Sequence, residues 1–500
     1  MTILIKNAQV IDGNGKPAFK GDIFIRNNII AEVGDLGRQS AEKVIPGAGL
    51  YAAPGFIDAA TSSDHYLTLF SNPEQQDFLF QGVTTTIAGM CGASLAPLLY
   101  GELESVRKWG DTSAVNVNWH TIKEFLDVLQ KRKLGVNFGT LIGHSTVRRA
   151  LIGEVIRDLT EGELRVFEKI LSSSLEEGAF GFSSGLGYAH AHGTPYYEIK
   201  RLVSVLKNKG GIYATHLRNE EADLIPSVEE VIKIGKETGI FSYITHMCPL
   251  NGYEKSYEEA LELLHKNFKE ADVYFTLFPF DVSRMPIYSL LPKWAKNGGF
   301  SVMLANLENT TLRKKILHDM ETMDFGEINI TFAHGHDYLR GKSLKEFAAI
   351  REVSWLEGLL LLMRLTRLRA ILSSKNINYP LAVKTLAHPQ ALIGSSGASF
   401  PSGTQGIECQ ETFSKFLHLS LKENLMSLES AIKKITSLPA EKFHLKNRGL
   451  IKNGYFADVV LFSANALGEI EIKHVFVNGK HAVSQKELIS GTGGMIMQSS

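Results

Sequence analysis

Eight short apolar runs, each followed by a helical pattern, constrain this chain more than anything else in it. They are GFIDAA (55–60), VTTTIAG (83–89), FGTLIGH (138–144), AFGFSSG (179–185), GIYATH (211–216), FSYITH (241–246), VYFTLFPF (273–280) and ALIGSSG (391–397). Strands that alternate with helices build a parallel sheet whose connections are crossover helices. Eight such units in succession predict an α/β fold, a closed (β/α)8 barrel rather than an open sheet. The stretch from about 284 to 350 is too long for an ordinary connection and carries its own strand-like run, INITFA. It is expected to be a lid-like insertion after barrel strand seven.

The two ends of the chain have a different texture. TILIKNAQVI, DIFIRNNIIAEV and KVIPGAGLYAA near the start, and FADVVLFS and IKHVFVNGKHAV near the end, are short alternating runs separated by Gly, Asp and Asn turns. Neither set can bury a face alone, so the two are expected to pack on each other. The resulting division is a composite β-domain from residues 1–53 and 441–485, a barrel over 54–440 and a tail over 486–500. The tail, ending in GTGGMIMQSS, is small and polar and is expected to fray.

Composition removes several classes of function. Five hundred residues at 44% hydrophobic content can bury a barrel core and a satellite domain. Lys+Arg and Asp+Glu each total 53, so no long-range field favours nucleic acid or an anionic membrane, and neither is expected as a partner. The opening MTILIKNAQVIDGNG alternates and turns, unlike the apolar core of a secretion signal. The most apolar helical stretch is interrupted by Glu357, Arg364 and Arg367, which argues against a membrane span. Cys91, Cys248 and Cys409 are odd in number and far apart, which fits a reducing compartment better than a disulfide framework. A cytoplasmic location is the expectation.

Catalytic groups of a (β/α)8 barrel sit at the C-terminal ends of its strands. Strand two runs out at Cys91, strand five at His216 and strand six at His246. Taken singly, each has a plain reading as a packing or hydrogen-bonding residue. Three at equivalent positions suit one Zn²⁺ ion, held by one thiolate and two imidazoles with a fourth position left for water. Such water has its pKa lowered to about 7 and can act as the nucleophile of a hydrolysis.

Nine runs give the chain a resemblance. PGFID (54–58), GVTTT with CGASLAP (82–97), LIGHSTVR (141–148), GFSSGLGY (181–188), THLRNE (215–220), LPKWAKNGG (291–299), GKSLKEFA (341–348), TSLPAEKF (436–443) and RGLIKNGYFADVVLF (448–462) occur in order. The chain resembles the amidohydrolase superfamily and, within it, the N-acyl-D-amino-acid deacylase (D-aminoacylase) family, over residues 1 to about 485. The resemblance implies the composite β-domain, the barrel, the insertion and a zinc held by Cys91, His216 and His246. It also implies a small N-acyl amino acid as substrate, with Tyr188 lining its pocket. Departures accompany it. The His-x-His pair that the family carries after PGFID reads Ala60-Thr61-Ser62, and the catalytic Asp at the end of strand eight reads Ser396 within Gly394-Ser395-Ser396. The His-Pro-Arg run that follows in the family is replaced by SFPSGTQGIECQETF.

Two functional readings follow. One is a zinc-dependent hydrolase of a non-peptide carbon–nitrogen amide bond, slowed by about 10²–10⁴ through the missing general base or served by a relocated one. The other is an impaired relative that binds a ligand or partner; within the first, a cyclic-amide or amidine reaction on the same single zinc is a further alternative. Groups that could stand in are Asp64 and His65 after strand one, and His190 and His192 after strand four. His334 and His336 of the insertion have similar spacing but read as lid surface. Arg218, two residues beyond His216, falls on the same side of an extended chain and is the candidate clamp for a substrate carboxylate. His144 and His388 read as structural, and Phe278, Phe280 and Ser283 as packing at the end of strand seven.

Overall fold

The computed structural model describes residues 1–321, 327–400 and 407–499. The eight barrel strands are Phe56–Asp58, Val83–Ala88, Asn137–Thr140 continued by Ile142–Gly143, Gly181–Gly185, Ile212–His216, Ser242–Ile244, Val273–Leu277 and Ala391–Ile393. They lie parallel, in chain order. Strand three breaks at Leu141, whose N–H still donates to Ala88 O at 2.9 Å. The first and last strands meet at their C-terminal ends, where Ser396 N–H donates to Ala60 O (2.8 Å) and Ser62 N–H to Gly397 O (2.7 Å). The strands are buried along their length except at His216, because helices cover one face and side chains fill the other. Hence they read as continuous apolar or small runs rather than as alternating ones.

The helices follow their caps and stripes. Glu161–Glu176 starts at a capping box between Thr160 and Glu163 and buries Leu164, Phe167, Leu171 and Leu175, one stripe of a 3.6-residue period. Glu357, which interrupts the apolar stretch, closes the capping box of Trp355–Leu365 with Ser354. No helix among the described residues is long and apolar enough to cross a membrane.

Both chain ends enter one sheet. Tyr51–Pro54 lies parallel to Thr2–Val10 on one side and antiparallel to Val459–Ala464 on the other, with Val459 opposite Pro54. Ile3, Ile5, Val10, Ile23, Val459 and Phe476 share its core, each such side chain contributing about 1.5–3 kcal/mol by burial. The segment after strand seven forms a separate antiparallel sheet in which Ser283–Pro286 and Ile328–Ala333 both pair with Ala370–Ser374. The central strand of that sheet therefore lies beyond residue 350.

The tail does not fray. Met497 N–H donates to Phe138 O (2.8 Å), Phe138 N–H to Met495 O (2.9 Å) and Gly494 N–H to Leu134 O (2.8 Å). Strand four pairs with strand three at Ile142–Gly143, and Phe180 N–H donates to Thr140 O (2.9 Å), but neither contact reaches Phe138, whose outer edge the tail fills.

Candidate metal centre

Three strand ends bring Cys91, His216 and His246 together at the barrel mouth. Cys91 Sγ lies 3.3 Å from His246 Nε2, and His216 Nδ1 lies 3.0 Å from the same nitrogen. The three ligand atoms all fall within 4.8 Å of one another. Cys91 and His246 both adopt left-handed backbone, at φ 54° and 43°. For residues with a Cβ that conformation costs about 1–3 kcal/mol and persists only where surrounding structure enforces it. Around Cys91 the enforcement is close packing: a Cβ on Gly185 would stand 2.1 Å from Cys91 O, so only glycine allows strand four to approach.

Burial alone would push the Cys91 thiol up, but His246 and His216 together hold it well below its usual range. For His246, burial opposes protonation, while Cys91 and Glu220 raise the imidazole well above its ordinary value. Glu220 Oε1 is 3.4 Å from His246 Nδ1. Burial raises this carboxyl, yet His216 and His246 leave it below the usual range. The carboxylate stands on the Nδ1 side without a hydrogen bond from that nitrogen, and Nε2 faces the thiolate; carboxylates on that side sit behind the imidazoles of bound metals. Tyr188 stacks on His216 with centroids 4.8 Å apart and planes at 18°. One thiolate and two imidazoles spaced this way match the donors of a single zinc ion with bonds of about 2.0–2.3 Å, so the residues fit that group.

The ends of strands one and eight offer no comparable donors. Ala60 presents a buried methyl group, and Ser396, at φ 48°, is tied by its N–H to Ala60 O. Beneath them Asp58 accepts from Ala60 N–H (3.1 Å) and Ser395 N–H (3.0 Å), and burial pushes its carboxyl up to about 7. Asp64 accepts from Gly89 N–H, and His65 Nε2 meets Ala93 O. His190 Nε2 contacts Ser145 Oγ; burial and nearby cations hold its ring well below the usual range, hence neutral. His144 is bonded to Glu198 at 2.8 Å, beside Arg148. None of these joins the three-residue group. Arg218 grips Glu230 through Nε (3.0 Å) and Nη2 (2.7 Å), and its Nη1 donates to His192 O. Helix Leu224–Thr238 supplies that carboxylate, so the clamp geometry read from the sequence is occupied within the chain.

One residue beside the three candidate ligands, Glu220, went unread in the sequence. Glu220 had a signal, since it closes the THLRNE run four residues after His216.

The sequence profile of the amidohydrolase family matches residues 51–482. The chain belongs to the amidohydrolase family, hydrolases that act on carbon–nitrogen bonds other than peptide bonds. Among curated relatives it is 30% identical over 464 residues to an N-acyl-D-aspartate deacylase of Alcaligenes xylosoxydans xylosoxydans, covering 92% of this chain and 85% of that one. A D-aminoacylase of the same organism is 28% identical over 503 residues, covering 98% and 96%. A crystal structure of D-aminoacylase superposes with a TM-score of 0.83 at 27% identity, covering 99% of both chains.

Proposed function

We propose that the chain is a zinc-dependent amidohydrolase that removes the acyl group from an N-acyl-D-amino acid, with one ion on Cys91, His216 and His246. The supporting observation is the meeting of one thiolate and two imidazoles within 4.8 Å at the barrel mouth, with Glu220 behind His246. Zinc, when bound, supplies Lewis acidity toward an amide carbonyl and lowers the pKa of water. The chain supplies the rest. Glu220 places a carboxylate on the Nδ1 side of His246, Tyr188 stacks on His216, and Cys91 and Tyr188 are buried while the two imidazoles stay partly exposed at the mouth. Ser396 supports a second reading, a ligand-binding relative with little turnover, because no carboxylate stands there to move the proton.

Metal analysis together with release of free amine from N-acetyl-D- and N-acetyl-L-amino acids tests both readings. Metal-dependent release from the D series, abolished by Cys91→Ala, supports the hydrolase. Zinc binding without turnover across the panel supports the second reading, and a purified protein with no affinity for zinc overturns the zinc-dependent hydrolase.

A further inference from the structure

We infer that an anion pocket built by Lys108 and Arg149 lies beside the metal centre and receives a carboxylate of the N-acyl amino acid; the substrate class rests on the reading above. Lys108 is 3% exposed and its Nζ has no hydrogen-bond partner among the described residues. It stands 3.9 Å from the centroid of the Tyr188 ring, whose stacking partner is His216. The pocket is thus one aromatic ring from the metal centre. Arg149 spends Nε on Glu154 Oε1 (2.6 Å), while its Nη1 is buried without a partner. Burial and then Arg149 lower the Lys108 amine, Cys91 and Glu154 act the other way, and both cations lower the His190 ring. Arg149 lies one turn beyond Ser145 on helix His144–Ile152, and Ser145 Oγ contacts His190, two residues after Tyr188; buried donors are rarely left unsatisfied, and a buried amine and a guanidinium nitrogen without partners on this side of the metal centre suit an anion.

The surroundings suit a carboxylate. Ser145 Oγ contacts His190, and the Tyr288 phenol lies within the field of Arg149. A surface groove lined by Glu154, Val155, Ile156, Asn297 and Gly298 opens beside the Arg149–Glu154 pair. Arg218 is not available for this task because Glu230 holds it.

The test uses N-methanesulfonyl-D-glutamate, which an amidohydrolase cannot cleave, with its side-chain amide and its α-amide as probes. Titration calorimetry on the zinc-loaded wild-type, Lys108→Met and Arg149→Gln proteins gives the affinities. At least one amide is expected to bind wild-type protein at least tenfold more weakly than the diacid, and which one does so shows whether the α or the side-chain carboxylate enters. That ratio should collapse in at least one variant. Lys108→Met keeps the volume and removes a buried amine, so its melting temperature should hold or rise, and Arg149→Gln stands as the second variant if it does not. Equal affinities in the wild type, no measurable binding, or a ratio kept in both variants overturns the pocket. Turnover of N-acetyl-D-glutamate, assayed separately, isolates the two claims: turnover without discrimination defeats the pocket alone, and discrimination without turnover defeats the hydrolase reading alone.

Discussion

The Gly185→Ala substitution adds one methyl group and is expected to disable the metal centre without altering a ligand. The new Cβ would lie 2.1 Å from Cys91 O and 2.8 Å from Tyr188 Cδ2, more than about 1 Å short of ordinary contact at the oxygen. Gly185 cannot retreat, because it is registered against His216 and the following N–H of Leu186 donates to His216 O. The displacement therefore falls on Cys91, on Tyr188 and, through its ring, on His216. Metal sites tolerate roughly 0.2 Å of error in ligand distance. Zinc affinity should fall by at least the roughly 10–100-fold seen when an outer-shell partner is lost, with an overpacking cost of about 1–3 kcal/mol. Gly162→Ala is the control: it lies in the first turn of Glu161–Glu176, its Cβ would meet nothing nearer than 4.0 Å, and helix propensity should favour it by about 0.5–1 kcal/mol. Competition for zinc against a chromophoric chelator, with thermal melts of both variants, provides the readout. A Gly185→Ala protein that holds zinc at wild-type stoichiometry and affinity would refute the reasoning.

Three further outcomes are expected. Glu220→Gln should weaken zinc binding by about 10–100-fold with little change in melting temperature, and unaltered competition curves would remove Glu220 from its role behind His246. Ser396→Asp should raise amidase activity by a measurable part of about 10²–10⁴, since φ 48° at this position is a conformation that Asp tolerates; an activity unchanged at equal zinc loading would show that the base is elsewhere or not limiting. Burial, with Arg149, pushes the Lys108 amine down to about 7, so between about pH 7 and 10.4 the unfolded chain binds more protons than the folded one. The cost of burying the charge is full below that window and disappears across it, so this residue makes stability rise with pH by up to about 1.4 kcal/mol per unit. Denaturant melts from pH 7 to 10 should show that slope reduced in Lys108→Met, and identical slopes would contradict a buried ionisable amine.

What could be read from the sequence was what local pattern encodes. Runs such as IYATH and VYFTL are short, continuous and flanked by turns and helical patterns, so the eight barrel strands are visible, though not the break at Leu141. The metal-ligand candidates could be picked out because a strand end is a position definable in one dimension. Arg218 illustrates the limit: its direction follows from strand geometry, but its partner Glu230 comes from the next helix. The Ala370–Ser374 strand lies beyond the boundary read for the insertion because helix Trp355–Leu365 separates it from INITFA. The tail looked free because Gly and Ser dominate it, and nothing local announces the open edge at Phe138 that it fills.

The sheet shared by both chain ends sets a timetable for biosynthesis. Thr2–Val10, Phe19–Arg26 and Ile29–Gly34 can pair among themselves as soon as they emerge, but Tyr51–Pro54 has one neighbour missing until Val459–Ala464 is translated. At about 5–20 residues per second that wait is roughly 20–80 s. Throughout it, Tyr51–Pro54 offers unpaired backbone to any passing strand. Several nascent copies on one message present the same edge at once, so a strand of a neighbouring copy can pair there before Val459–Ala464 arrives. Slower initiation, which spaces the ribosomes, would be the corresponding remedy.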